Sequence, residues 1–231
     1  MQPSFVSPPV PARGRSAGAL LGDALRRPGG RRSLSALSLA LLVASVLVIG
    51  YPVGTDVYGH LRQDDLAGEF SEPTVVTIYR QKRVAVGDGL TRLTIPKLGV
   101  DVLVVQGTTP AALRAGAGHY PDTPLPGETG NVGIAGHRTT YGRPLNRLDE
   151  LAPGDLVELE TPLAEHTYRA VEPFDGHPNP WVVPPTATEV VDPVPGAQLL
   201  TLTTCHPKGS ARQRLVMRFE LVKSVPVRIA A

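Results

Sequence analysis

The stretch TLTTCHPK, residues 201–208, holds the only cysteine of the chain. A lone thiol forms no intramolecular disulfide, so it serves as a small core residue, an intermolecular disulfide partner or a nucleophile. Its position points to the third use. QLLTLTT, residues 198–204, alternates as a strand does, and Cys205 stands at its C-terminal end, where HPKGS opens a polar loop. Strand ends that open into loops display reactive side chains. The ordinary pKa of a thiol is about 8.5, so at neutral pH it needs a cationic neighbour or a base.

Of the six histidines, four look ordinary. His60 lies beside an apolar stretch, His166 opens a strand, His177 sits among prolines, and His206 adjoins Cys205 and so points to the other face of its strand. His119 and His137 remain. His137, in NVGIAGHRTTYG, again ends a strand at a glycine-flanked turn. For a cation, RQRLVMR places Arg212, Arg214 and Arg218 on one face of an alternating strand, and spacing alone does not choose among them. His119, His137, Cys205 and His206 match no close-paired zinc spacing. Neither a metal nor a cofactor is expected.

The elements that must carry these residues follow from periodicity. β-type runs recur between Pro/Gly breaks at 74–79, 92–95, 100–106, 131–136, 155–161, 166–174, 198–204 and 214–222. That number of short strands predicts a mainly β fold, a closed barrel or a sandwich. Thr109-Pro110 before AALRAG predicts a short helix, with a capping hydroxyl and a proline at the first helical position. Residues 143–151 predict another turn or two, and 175–197 a long loop.

The N-terminal third is different. Ser33 to Thr55 carries no charge, and 23 residues at about 1.5 Å each reach roughly 35 Å, enough for a ~30 Å hydrocarbon layer. Six arginines and one acid precede it, leaving 17 basic and 20 acidic residues after position 32. This asymmetry predicts an uncleaved signal-anchor with the basic side in the cytoplasm and the C-terminal bulk outside the cell membrane. Residues 1–32 read as a disordered cytoplasmic tail, 33–55 as a single transmembrane helix, 56–74 as a linker that could start with a short helix, and 75–231 as the globular domain. The net acidic balance of the folded part excludes nucleic acid as a partner on charge grounds.

Three segments, LTIPKLGVDVLVVQGT (93–108), HYPDTPLPGETGNVGIAGHRTTYG (119–142) and LLTLTTCHPKGSARQRLVM (199–217), resemble in order those of sortases, the cysteine transpeptidases of Gram-positive cell surfaces. TLTTCHPK, the short gap to Arg214 and the N-terminal anchor are most similar to class E of actinobacteria. The resemblance implies an eight-stranded sortase-type β-barrel with short helices. It implies Cys205 as nucleophile, His137 as catalytic histidine, Arg214 as catalytic arginine, Thr204 positioning substrate or oxyanion, and Tyr120 selecting substrate. The implied substrates are exported proteins with a C-terminal LPxTG- or LAxTG-like signal, cleaved between Thr and Gly through a thioacyl-enzyme and passed to a cell-wall precursor amine or a pilin lysine. NPW at 179–181 follows the histidine rather than preceding it, which argues against a pilus-type lid. Two other readings compete: an L,D-transpeptidase-like cell-wall enzyme, which would want S-H-G-C where this chain has T-L-T-T-C, and a membrane-tethered β-domain with Cys205 merely packed.

Overall fold

The computed structural model describes residues 28–173 and 176–227, together with Gly18 and Gly22. Most of the tail expected to be disordered, and positions 174 and 175, lie outside the described residues. The chain divides into two compact units, Met1–Tyr51 and Pro52–Ala231. Helix α1, Pro28–Phe70, contributes to both. Its Arg32–Phe70 portion contains a window of mean hydropathy 2.3, long and apolar enough to cross a membrane, and that window is wholly unburied.

In the second unit, positions 55, 59, 63 and 66 of α1 recur at helical spacing on the side turned toward protein. Leu66 is fully buried with Leu103, Val105, Ala112 and Ala115 in a small satellite core. The interval read as a linker is thus largely helix. The run TVVTIY, read as β-type, is helix α2, Pro73–Arg80. Pro73 pre-sets the first turn, and Val75, Ile78 and Tyr79 fall on one face, so packing at i, i+3, i+4 outweighs the β-propensity of the branched residues.

The remaining runs are strands: β1 (Gly89–Ile95), β2 (Val100–Gln106), β4 (Gly130–Ala135), β5 (Leu156–Glu160), β6 (Ala164–Ala170), β8 (Gln198–His206) and β9 (Gln213–Pro226). Two three-residue strands are added, β3 (Ala117–His119) and β7 (Trp181–Val183). Eight strands close in the order β6-β5-β1-β2-β3-β4-β8-β9, sealed by β6–β9 pairing, with β7 attached outside the ring on β9. The expected eight-stranded barrel is therefore present, with β3 in the place given to the 74–79 run. β9 closes the ring because it is long: Gln213–Glu220 pairs with β8, and Phe219–Pro226 with β6. β2–β3 and β4–β8 are parallel, and the other pairs antiparallel.

The interior is filled by alternating positions, among them Leu93, Ile134, Tyr168, Leu200, Leu202 and Phe219, all fully buried. Helix α3, Pro110–Ala115, starts as expected, with the Thr109 hydroxyl accepting from Ala112 N–H. Residues 143–151 supply a 3-10 turn at Leu148–Glu150, and the proline-rich interval holds β7 and a second 3-10 turn, Thr188–Val191.

Candidate active site

On β8, Leu200 and Leu202 enter the core, so Thr201, Thr203 and Cys205 share the opposite face. Cys205 is half-buried, reachable from outside rather than sealed. Two neighbouring strands bring the other reactive groups to it. The antiparallel partner places Arg214 directly opposite Cys205. The parallel partner β4 pairs Ala135 with Thr203, and Gly136 N–H donates to Thr203 O at 3.0 Å. β4 ends at Ala135, and His137 follows two residues later, on the stretch that runs on from it. Cys205 and Arg214 are thus direct cross-strand partners, and β4 runs parallel to β8 toward His137.

The His137 ring is half-buried and lies 5.2 Å from the Tyr141 ring, centroid to centroid. Burial lowers its pKa below the usual histidine value, and the positive charge of Arg114 on α3 lowers it further. The neutral imidazole is favoured, and its protonated form is the minor species at neutral pH. Arg214 is partly exposed, and its Nη1 donates to the carbonyls of Ala211 and Gln213, each at 3.1 Å. Those bonds hold the guanidinium at the strand end rather than letting it extend into solvent.

Thr204 lies on the core side. Its buried hydroxyl donates to Gly136 O at 2.8 Å and so ties the end of β4 to β8 one residue before His137. Thr203, which the sequence reading left aside, shares the Cys205 face, and its hydroxyl is 3.0 Å from the Tyr120 hydroxyl. The alternation with Leu200 and Leu202 is the signal that separates the two threonines. Tyr120 N–H donates to Gly133 O at 3.0 Å. Gly133 has room for nothing larger: an added Cβ would lie 2.8 Å from Tyr120 Cδ2 and 3.0 Å from Val191 Cγ1. Tyr120 and the Thr188–Val191 turn therefore flank the floor formed by β4 and β8. The turn is pinned by Asn131 Nδ2, which donates to Val190 O (3.1 Å) and Asp192 O (3.2 Å), and by Arg218 Nη2, which donates to Val190 O (3.0 Å).

His119, the other candidate, is 1% exposed. Its Nδ1 is 2.9 Å from Gln106 Oε1, and its Nε2 is 3.0 Å from both Pro124 O and Thr123 Oγ1. It is a satisfied core histidine. Sequence reasoning also missed Arg138. This guanidinium is 3% exposed and donates to Cys205 O (3.2 Å), His206 Nδ1 (2.9 Å) and Asn146 O (3.4 Å), with Asp149 as ion-pair partner at 2.9 Å. It braces the backbone of the cysteine itself. Among the described residues, no group of three or more His, Cys, Asp or Glu is placed to hold a metal ion. A thiol, an imidazole and a guanidinium carried on neighbouring segments are a set that acyl transfer can use: one group to attack, one to move a proton, and one to offset charge on oxygen.

Residues 93–222 match the Sortase domain family model. The chain is similar to Sortase SrtE1 of Streptomyces coelicolor, 27% identical over 220 residues that cover 87% of this chain and 61% of that protein. It is 33% identical to Sortase D of Bacillus subtilis over 128 residues, 54% of this chain and 60% of that protein. The chain thus spans about three-fifths of the length of these two relatives. Among solved structures, sortase E from Streptomyces avermitilis is 34% identical with a TM-score of 0.54, covering 62% of this chain and 93% of that one. Sortase E1 from Streptomyces coelicolor with a tripeptide in the active site is 32% identical with a TM-score of 0.54, covering 61% and 91%.

Proposed function

The chain belongs to the sortase family, most like class E. On that premise, we propose that it is a membrane-anchored cysteine transpeptidase that cleaves an LPxTG- or LAxTG-like sorting signal between Thr and Gly. The observation that supports this reading is the register that pairs Cys205 with Arg214, with β4 running parallel to β8 toward His137. The Cys205 thiolate attacks the threonine carbonyl, and the resulting oxyanion is offset by the Arg214 guanidinium. The C–N bond breaks as protonated His137 gives its proton to the departing glycine amine, leaving a thioester on Cys205. An acceptor amine on a cell-wall precursor then attacks the thioester and expels the thiolate.

Tyr120, held to Thr203 on the cysteine's face, contacts the residue after leucine in the signal. Thr204 serves through the strand end it fixes rather than through its already engaged hydroxyl. Residues 33–55 span the membrane, with the arginine-rich segment in the cytoplasm and the catalytic unit outside. The half-buried rather than sealed Cys205 counts against a merely structural cysteine.

The test is mass spectrometry of products from a panel of LxxTG peptides with amine acceptors. Wild-type protein should yield the Leu-to-Thr fragment joined to the amine. Cys205→Ala should yield none, and His137→Ala or Arg214→Ala should turn over about 100-fold or more slowly. Turnover surviving in Cys205→Ala would sink the reading.

A further inference from the structure

Nothing in the acyl-transfer chemistry itself calls for residues 52–70 of α1, yet this segment reaches the turn that follows the catalytic histidine. We infer that it positions His137, with Asp56 and Tyr58 gripping the 141–143 turn and Tyr141 transmitting that grip to the imidazole. The inference rests on the role proposed above for His137.

Three sets of contacts carry it, all within the second unit. First, the segment is docked by more than apolar contact. The Gln63 side chain makes three hydrogen bonds to the backbone of β2 and α3: Nε2 donates to Leu103 O (3.1 Å) and Ala115 O (2.7 Å), and Leu103 N–H donates to Oε1 (2.6 Å). Gly116 leaves room for this amide, since an added Cβ would lie 2.4 Å from Gln63 Nε2 and 2.7 Å from Leu103 O. Second, the segment grips the turn. Asp56 Oδ1 accepts from Gly142 N–H at 3.2 Å, and its Oδ2 pairs with Arg143 Nη2 at 2.9 Å. The Tyr58 ring stands edge-on to Tyr141, centroids 6.2 Å apart at 79°. Gly59 permits the close approach, because a Cβ there would lie 3.1 Å from Tyr141 C and 3.2 Å from Gly142 N. Third, the turn touches the histidine through the 5.2 Å Tyr141–His137 ring contact.

The turn needs such a grip. Tyr141 and Arg143 hold φ of +53° and +51°, a left-handed conformation that side-chain-bearing residues disfavour. Such a turn persists where its surroundings over-determine it. Asp56, Tyr58 and Gly59 are those surroundings. Their removal frees Tyr141 to leave the ring of His137, and a misplaced proton donor slows the step after substrate has bound.

The experiment uses the full chain in detergent micelles and follows peptide cleavage. Tyr58→Ala and Asp56→Ala are expected to lower kcat about tenfold or more, with KM within about twofold. Tyr58→Phe, which keeps the ring edge, should retain wild-type kcat. Tyr58 is 44% exposed, so its loss removes little packing and separates positioning from stability. Gln63→Ala, remote from the turn, should reproduce the kcat loss by undocking the segment. The inference is overturned if Tyr58→Ala keeps wild-type kcat, or if kcat falls only with the fraction of folded protein. Absence of any turnover by wild-type protein would be a failure of the functional reading instead. The positioning claim is then decided by NMR of the His137 ring, whose resonances should shift in Tyr58→Ala and not in Tyr58→Phe; equal spectra in all three proteins overturn it.

Discussion

Replacing Arg138 by methionine tests how the strand end that carries Cys205 is held. The substitution keeps most of the side chain's length and removes its donors. Cys205 O, His206 Nδ1 and Asn146 O lose the guanidinium at 3.2, 2.9 and 3.4 Å. A hydrogen bond from a charged donor contributes about 1.5–3 kcal/mol, and the long contact to Asn146 counts for little. Two such bonds set the gross loss at about 3–6 kcal/mol. Relief from burying a guanidinium returns part of it, leaving a net destabilisation of about 2–4 kcal/mol. Asp149→Ala leaves the buried guanidinium its three hydrogen bonds but no counter-ion, so it too should destabilise, by about 1–3 kcal/mol. Urea unfolding of the full chain in micelles reads both, through Trp181, the only tryptophan of the chain. Arg138→Met should lower Tm by roughly 5–15 °C, since 1 kcal/mol corresponds to about 2–4 °C at this size, and it should slow turnover. A loss below about 1 kcal/mol for Arg138→Met would refute the idea that its bonds to Cys205 O and His206 Nδ1 hold this strand end.

His119, His137 and His166 all have pKa values lowered by burial, so the unfolded chain takes up protons more readily in acid. Their contribution to stability is complete above the unfolded histidine value of about 6.5 and is lost as pH falls below it toward the depressed folded values. The urea midpoint should accordingly be lower at pH 5.5 than at 7.5. Arg114→Gln removes the second, electrostatic cause of the low His137 pKa and should raise it, moving the basic limb of the pH–kcat profile upward; an unmoved limb would exclude that coupling. Gly133→Ala forces Tyr120 or Val191 aside at a cost of about 1–3 kcal/mol, and peptide KM should rise more than kcat falls.

Much of the barrel was legible because its strands are runs of β-type residues, several of them alternating, broken by proline and glycine. What escaped was short or held by distant partners. β3 and β7, at three residues each, give no period to detect. The 74–79 run looked like a strand by residue type, whereas its apolar positions suit a helix equally well, and only a barrel surface to pack on decides between them. GAGH at 116–119 and IAGH at 134–137 are local twins, and nothing nearby separates their histidines. The difference comes from Gln106 and Pro124, which enclose His119, whereas His137 is left half-buried beside Tyr141. Arg138 and Gln63 act on groups 67 and 40 positions away, beyond any local pattern. Thr203 was within reach, since strict alternation from Leu200 and Leu202 already assigns it to the cysteine's face.

The closed ring has a practical consequence for protein engineering. Cys205 and Arg214 stand on ladder-locked strands and His137 follows the end of a third, whereas residues 184–197 enter no strand. Reagent design can exploit that division of labour. Grafting the 184–197 segment from a relative, with Asn131 and Arg218 kept as its fasteners, exchanges the rim and leaves the reacting atoms in place, so new ligation specificities can be screened by loop shuffling alone.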